Sequence, residues 1–272
     1  MSLGSPDFAQ LKLAQKAAWM AGDFGQIAAF SAKAAEEFVA RTPITQGTRV
    51  LDVACGTGNT AIPAARAGGV VTGIDIAPNL LEQARARASA EQLKIDFQEG
   101  DAEQLPYPDG AFDVVLTMFG AMFAPRPEQV AAELVRVCRA GGVIAMANWT
   151  PQGFVGKTFQ LTAKMAPPPP GVPAPVLWGD EETVRRRFSK GVSCLSLTRH
   201  QISFDYPFPP NEVVAFFRQY FGPTQMAFKR LDPDGHAALA SALESLWKEH
   251  NRAGDGSTSV EVEYLDVRAV RA

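Results

Sequence analysis

The sequence predicts an α/β fold built on a doubly wound, mostly parallel sheet, on three observations. Apolar strand-like runs alternate with helical stretches from Val50 to Trp149, the pattern of a parallel sheet with helices over both faces. The first run, Val50-Leu51-Asp52-Val53-Ala54-Cys55-Gly56-Thr57-Gly58, feeds directly into two closely spaced glycines. The second, Gly69-Val70-Val71-Thr72-Gly73-Ile74, ends in an acid, Asp75. Such glycines let the chain turn sharply and let a ligand approach the main chain, while the following helix points free N–H groups at the same place.

Taken in order, Phe8 to Met20 reads as a helix carrying Phe8, Leu11, Ala18 and Trp19, interrupted by Gly22-Asp23 before a second helix from Phe24 to Ala40. Thr42-Pro43 and Gln46-Gly47 mark a turn into the first strand. Pro63 falls in the first turn of the next helix and Pro78 opens the one after Asp75, positions where a missing N–H is harmless. Lys94 to Phe97, Phe112 to Met118 and Gly141 to Ala147 read as strands three to five. The proline-rich run from Ala166 to Pro175 is a stiff surface crossing after a helix over Gly156 to Met165. A helix over Asp180 to Phe188 and a strand over Cys194 to Tyr206 follow, with Arg185-Arg186-Arg187 as a solvated helix face. Two further helices are predicted: one capped by Asn211, bearing Val213, Phe216, Phe217 and Tyr220 and ended by Gly222-Pro223, and one bearing Leu239, Leu243, Leu246 and Trp247 that stops at Gly254. Ser259 to Val270 alternates as a seventh strand.

The glycine loop alone admits two ligands. Gly56-x-Gly58-x-x-Ala61, with Asp75 beyond it, also satisfies a dinucleotide fingerprint, so a nicotinamide-dependent oxidoreductase is the alternative. Asp52 weighs against it, because a carboxylate inside a central strand needs a partner to offset its desolvation, and a ligand amine supplies one. Asp101, in Gly100-Asp101-Ala102-Glu103, adds a third acid after the third strand.

With Gly73-Ile74-Asp75, Gly100-Asp101-Ala102-Glu103-Gln104-Leu105-Pro106, Phe112-Asp113-Val114-Val115 and Arg139-Ala140-Gly141-Gly142 in order behind the first block, the chain resembles the class I S-adenosylmethionine-dependent methyltransferases, in a bacterial group similar to ubiquinone and menaquinone biosynthesis methyltransferases. The matching blocks span residues 47 to 149, and the one small departure is Ala140, where the family usually has proline. The resemblance implies a Rossmann-like sheet of seven strands with an antiparallel edge strand, and a helical cap inserted around residues 207–256. It divides the chain into N-terminal helices over the cofactor site (1–46), a cofactor-binding core (47–150) and a C-terminal part that completes the sheet (151–272). It implies S-adenosylmethionine as cofactor, leaving S-adenosylhomocysteine. Asp52 with the main chain at Ala54, Cys55, Gly56 and Gly58 would hold its amino-acid end, Asp75 the ribose hydroxyls, Ile76 the adenine face, and Asp101 with Ala102 the adenine edge. Thr117, Phe119 and Trp19 would complete that site.

Methyl transfer is an in-line displacement on an activated donor, so positioning can supply much of the acceleration. Phe24, Met122, Phe123, Trp149 and Phe154 are the candidate acceptor pocket, because open α/β sheets bind ligands at the carboxyl ends of their strands. His200, Asp205, His236 and His250 stand in no motif, and packing or exposed roles are expected of each. The Asn/Asp-Pro-Pro-aromatic signature for exocyclic amines is replaced by Thr117-Met118-Phe119-Gly120, which argues against a nucleobase or amide acceptor. A protein that binds S-adenosylmethionine without methylating is a further alternative.

Composition narrows the partners. The 26 basic and 29 acidic residues give a formal charge of −3, a poor match to nucleic acid. Three widely separated cysteines, Cys55, Cys138 and Cys194, suggest neither a disulfide framework nor a metal site and fit a reducing cytoplasm. No apolar run is long enough to span a bilayer, and no basic-then-apolar export signal is present; Met1-Ser2-Leu3 reads in part as residues foreign to the natural chain. The expected partner is a small molecule, with the oligomeric state left open.

Overall fold

A computed structural model describes residues 7–272, so Met1-Ser2-Leu3 lies outside the described residues. Arg49–Val53 (β1), Val70–Asp75 (β2), Ile95–Glu99 (β3), Phe112–Met118 (β4), Cys138–Trp149 (β5), Val192–Tyr206 (β6) and Thr258–Arg271 (β7) form one sheet of order β3-β2-β1-β4-β5-β7-β6. β1 pairs in parallel with β2 on one side and β4 on the other, so the connection order reverses there and a crevice opens at the carboxyl ends of β1 and β4. Val50, Leu51 and Val53 are fully buried, as a central strand covered on both faces requires. β7 runs antiparallel to β5 and β6, which makes the C-terminal edge antiparallel, with β6 outermost.

Phe8–Ala21 (α1) is capped by the Asp7 carboxylate, which accepts from the N–H groups of Ala9 and Gln10. The single helix expected over Phe24 to Ala40 is broken: Phe24–Ala28 (α2) and Ala32–Ala40 (α3) flank a 3₁₀ turn at Ala29–Ser31. The Ala28 carbonyl explains the break, because it accepts instead from the Asn59 amide (2.8 Å) and the Ser31 hydroxyl (3.0 Å). Ala61–Arg66 (α4) and Pro78–Ala90 (α5) start as their prolines predict. Pro127–Val137 (α6), Phe154–Met165 (α7) and Glu181–Arg187 (α8) complete the core and its approach to β6.

Between β6 and β7 lie three helices where two were expected: Pro210–Tyr220 (α9), Gly222–Lys229 (α10) and Pro233–His250 (α11). Asn211 is not a cap but an early helical residue, since Pro210 already opens α9. Gly222-Pro223 does more than end α9. It begins α10, with the proline in a first turn that needs no N–H from it. α11 stops at His250, ahead of Gly254, where the Asn251 side chain takes up the N–H groups of Ala253 and Ser259. Arg187 also departs from its expected solvated face: its side chain is 2% exposed, lying over the Trp178 ring and reaching Glu128.

A contiguous apolar core runs from the sheet (Leu51, Val115, Ile144) into these helices (Val213, Leu239, Leu243, Trp247). α1 packs on α10 and α2 on α9. The approach of α1 to α10 is backbone on backbone. A Cβ at Gly222 would stand 1.7 Å from the Ala18 carbonyl oxygen, and one at Gly22 2.1 Å from that of Tyr220. Among the described residues, no helix is long and apolar enough to cross a membrane.

Candidate active site

The loop after β1 enters the left-handed region three times, at Ala54 (φ 55°), Gly56 (φ 53°) and Gly58 (φ 84°). Glycine takes this at no steric cost, whereas Ala54 stores on the order of 1 kcal/mol of strain. The loop after β4 presses against it, since a Cβ at Gly120 would lie 2.4 Å from the Ala54 carbonyl oxygen. Asp75 ties the loop to β2: its carboxylate accepts from the N–H of Gly56 (2.8 Å) and of Ala77 (2.9 Å). Burial raises Asp75 above the usual carboxylate range, against the lowering effect of those N–H groups.

Asp52 is wholly buried beneath the same loop. Its Oδ2 accepts from the Thr60 hydroxyl at 2.6 Å, while Oδ1 has no partner among the described residues. Burial pushes Asp52 up to about 7, opposed by the Thr60 hydrogen bond and reinforced by the charge of Asp75. A carboxylate so placed is poised to take a cationic partner.

A cleft opens above these groups. Ala54, Cys55, Gly56, Asp75 and Ile76 line it from β1 and β2, Asp101, Ala102 and Phe119 from β3 and β4, and Trp19 from α1. Asp101 accepts from the Glu103 N–H at 2.8 Å and pairs with Lys12, which also reaches Glu103. Gln15 donates to the Phe123 carbonyl and Lys16 pairs with Glu99, so α1 is fastened across the cleft by one face. Sequence reasoning missed this face, although Lys12, Gln15 and Trp19 stand at helical spacing with Trp19 the expected contact. Thr60 and Gly120 were missed as well. Only the close approach of Gly120 to Ala54, which the chain order does not show, explains why glycine stands there.

A second compartment lies between the ends of β4 and β5 and helices α7, α9, α10 and α11. Phe24, Phe123, Trp149 and Phe154 line it, joined by Phe119. Phe119 takes φ 59° and stacks on Trp149 with centroids 3.6 Å apart. Trp19 meets Phe24, Phe123 and Phe221 edge-on at 5.1 to 5.7 Å. Trp19, Phe24, Ala28, Ser31, Phe119 and Phe123 line both spaces, so the compartments meet there.

Four predicted residues line neither. Asp52 sits below the loop, and Gly58 serves the turn itself. Thr117 is buried and accepts from the Ala121 N–H at 3.2 Å, shaping the turn after β4. Met122, 2% exposed, packs into the core instead of the pocket, because the 3₁₀ turn at Ala121–Phe123 directs it away from Phe123. The histidines are elsewhere: His200 stacks on Tyr264 near Asp266, His236 contacts the Phe228 carbonyl and His250 that of Leu246. Asp205 pairs with the Ser259 hydroxyl on the outer strands.

Residues 51–146 match the family described as a methyltransferase domain. The protein Rv1403c of Mycobacterium tuberculosis is 40% identical over 236 residues, covering 85% of this chain and 86% of that one. The demethylmenaquinone methyltransferase of Deinococcus radiodurans is 43% identical over 132 residues, 47% of this chain and 53% of its own. Among solved structures, YcgJ from Bacillus subtilis shares the fold at TM-score 0.62 and 17% identity, over 88% of this chain and 98% of that one. From the match to the domain and the near full-length relative, the chain belongs to the class I S-adenosylmethionine-dependent methyltransferases.

Proposed function

We propose that the cleft holds S-adenosylmethionine through the residues named for it and that the aromatic compartment holds a small, largely apolar acceptor, methylated at oxygen, carbon or nitrogen. The observation that carries this reading is the shared junction. A cleft that carries Lys12, Asp75 and Asp101 over the glycine loop and a compartment with no charged lining residue among those described meet at Trp19, Phe24, Phe119 and Phe123.

The residues fit the cofactor. The unpartnered Asp52 oxygen, with Thr60 beside it at the cleft wall, suits the ligand's amine, and the Asp75 carboxylate suits two ribose hydroxyls. Asp101, Ala102 and Ile76 are grouped where an adenine would lie. Bound there, S-adenosylmethionine supplies a methyl group activated by its sulfonium. The chain's own part is to orient the two ligands and exclude water: α1 closes the cleft, and the aromatic junction leaves an apolar passage between compartments. Thr117 and Met122 support that junction from behind. A reducing cytoplasmic setting goes with this reading, supported by three unpaired cysteines.

With a turned-over acceptor, Phe123→Ala and Trp149→Ala are expected to raise KM or lower kcat/KM, and Trp149→Ala, which lines only the aromatic compartment, should leave affinity for S-adenosylmethionine near that of the parent. Single His→Gln changes at 200, 236 and 250 should cost far less than the ~10²-fold or more that loss of a general base brings. A histidine variant that abolished turnover with fold and cofactor binding intact would show that positioning is not the main device.

A further inference from the structure

The aromatic compartment is unusual in what it lacks. Ser31, Thr158, Thr162 and Thr224 are its polar side chains, and none of its lining residues is titratable. Three of those hydroxyls are already spent on main-chain carbonyls: Ser31 on Ala28 (3.0 Å), Thr158 on Phe154 (3.0 Å) and Thr162 on Thr158 (2.8 Å). From the surrounding elements, the charged groups turn elsewhere. On α1, Lys12 and Lys16 pair with Asp101, Glu103 and Glu99. On α7, Lys157 lies against His250, and on α9, Arg218 covers the Phe228 ring. On β6, His200 and Asp205 face β7, and on α11, His236 contacts the Phe228 carbonyl. Behind the lining, His250 touches Phe154, Tyr264 touches Phe119 and Trp149, and Tyr206 touches Trp247. Neither phenol lines the space, and burial raises both above their usual range. On the cofactor side, Asp75 is tied to Gly56 and Ala77.

Among the described residues, a nucleophile entering this space therefore meets no group able to take its proton. It also meets a medium of low polarity, in which an anion is costly unless a cation stands beside it. The sulfonium proposed for the adjoining cleft is such a cation, and transfer from it to an anion leaves two neutral products.

Resting on the methyl-transfer reading above, we infer that the acceptor is a ring-bearing hydroxyl or thiol that enters already ionised, the enzyme supplying no base. The acceptor's proton has gone to water before binding. Its oxygen or sulfur lone pair forms the new bond to the methyl carbon, and the methyl–sulfur bond breaks with its electron pair left on sulfur as a neutral thioether. Ser31, among the described residues the one hydroxyl bordering both compartments, cannot substitute for a base: its hydroxyl proton is held by Ala28, and the Asn59 amide stands at 3.5 Å.

The test uses the full chain with phenol, para-cyanophenol, para-nitrophenol and thiophenol as acceptors of graded acidity, and aniline and N-methylaniline as neutral nucleophiles. Below each acceptor's own pKa, kcat/KM should rise about tenfold per pH unit and then level off, with the break moving from acceptor to acceptor. Independently of turnover, quenching of the fluorescence of Trp19, Trp149 and Trp247 should show para-nitrophenolate binding about tenfold or more tightly beside sinefungin, whose ammonium replaces the sulfonium, than beside neutral S-adenosylhomocysteine. A break at one pH for every acceptor would assign the proton to an enzyme group and overturn the inference. So would equal binding beside the two analogues, methylation of the anilines in preference to the phenols and thiol, or tight S-adenosylmethionine binding with none of the hydroxyl and thiol probes methylated. Failure to bind S-adenosylmethionine in calorimetry would instead overturn the reading beneath it.

Discussion

At the scale of single residues, the two acids of the glycine loop do different work. Asp52 is raised to about 7 by burial, against an ordinary value of 3.8, so the folded chain prefers its protonated form. The stability this residue contributes is therefore present below pH 4 and is lost as pH rises toward 7, where the buried carboxylate ionises. Asp52→Asn keeps an acceptor for Thr60 and removes the charge. Measured by denaturant unfolding without ligand, the variant should gain on the parent by up to about 2 kcal/mol between pH 5 and 7, while losing affinity for S-adenosylmethionine. A flat difference across that window would show that Asp52 does not ionise there. Asp75 needs a gentler substitution than alanine, because its carboxylate also holds Gly56 and Ala77. Asp75→Asn should weaken cofactor binding about tenfold or more by calorimetry, in line with loss of charge-assisted hydrogen bonds.

At the scale of elements, the sheet was legible because strand patterning is local: Phe112–Met118 is observed over the span expected for it, and Pro78 opens α5 as its missing N–H dictates. What escaped depends on partners distant in the chain. The break at Ala29–Ser31 exists because Asn59 draws the Ala28 carbonyl out of the helix ladder, and no pattern within 24–40 records that. α10 was hidden because Gly222-Pro223 reads equally well as an end and as a beginning, the deciding fact being the contact with Ala18. Thr117 and Met122 were drawn to the site by their place at and after the end of β4, yet Thr117 is buried within β4, holding the Ala121 N–H, and Met122 turns inward from the short 3₁₀ turn. The glycine contacts between α1 and α10 give a direct expectation. Gly222→Ala should loosen α1, seen as faster amide exchange over residues 8–21 and weaker S-adenosylmethionine binding, with exchange in β1 and β4 unchanged. Unaltered exchange in α1 would mean that the polar ties of Lys12, Gln15 and Lys16 hold it alone.

At the scale of the whole molecule, the sheet's reversal beside β1 creates the cleft, α1 crosses it, and the helices between β6 and β7 enclose the second compartment. A ligand bound under α1 should stabilise the folded chain: at one hundred times its dissociation constant, S-adenosylhomocysteine should contribute about 2.7 kcal/mol, read as a raised Tm, whereas a nicotinamide dinucleotide should leave it unmoved. The most direct measurement is a crystal structure with S-adenosylhomocysteine bound. It should place the ribose hydroxyls on Asp75, the adenine edge at Asp101 and Ala102, and the sulfur facing the junction of Trp19, Phe24, Phe119 and Phe123, with the aromatic compartment open beyond it. A ligand seated in the aromatic compartment, or one whose sulfur faces away from that junction, would contradict the account.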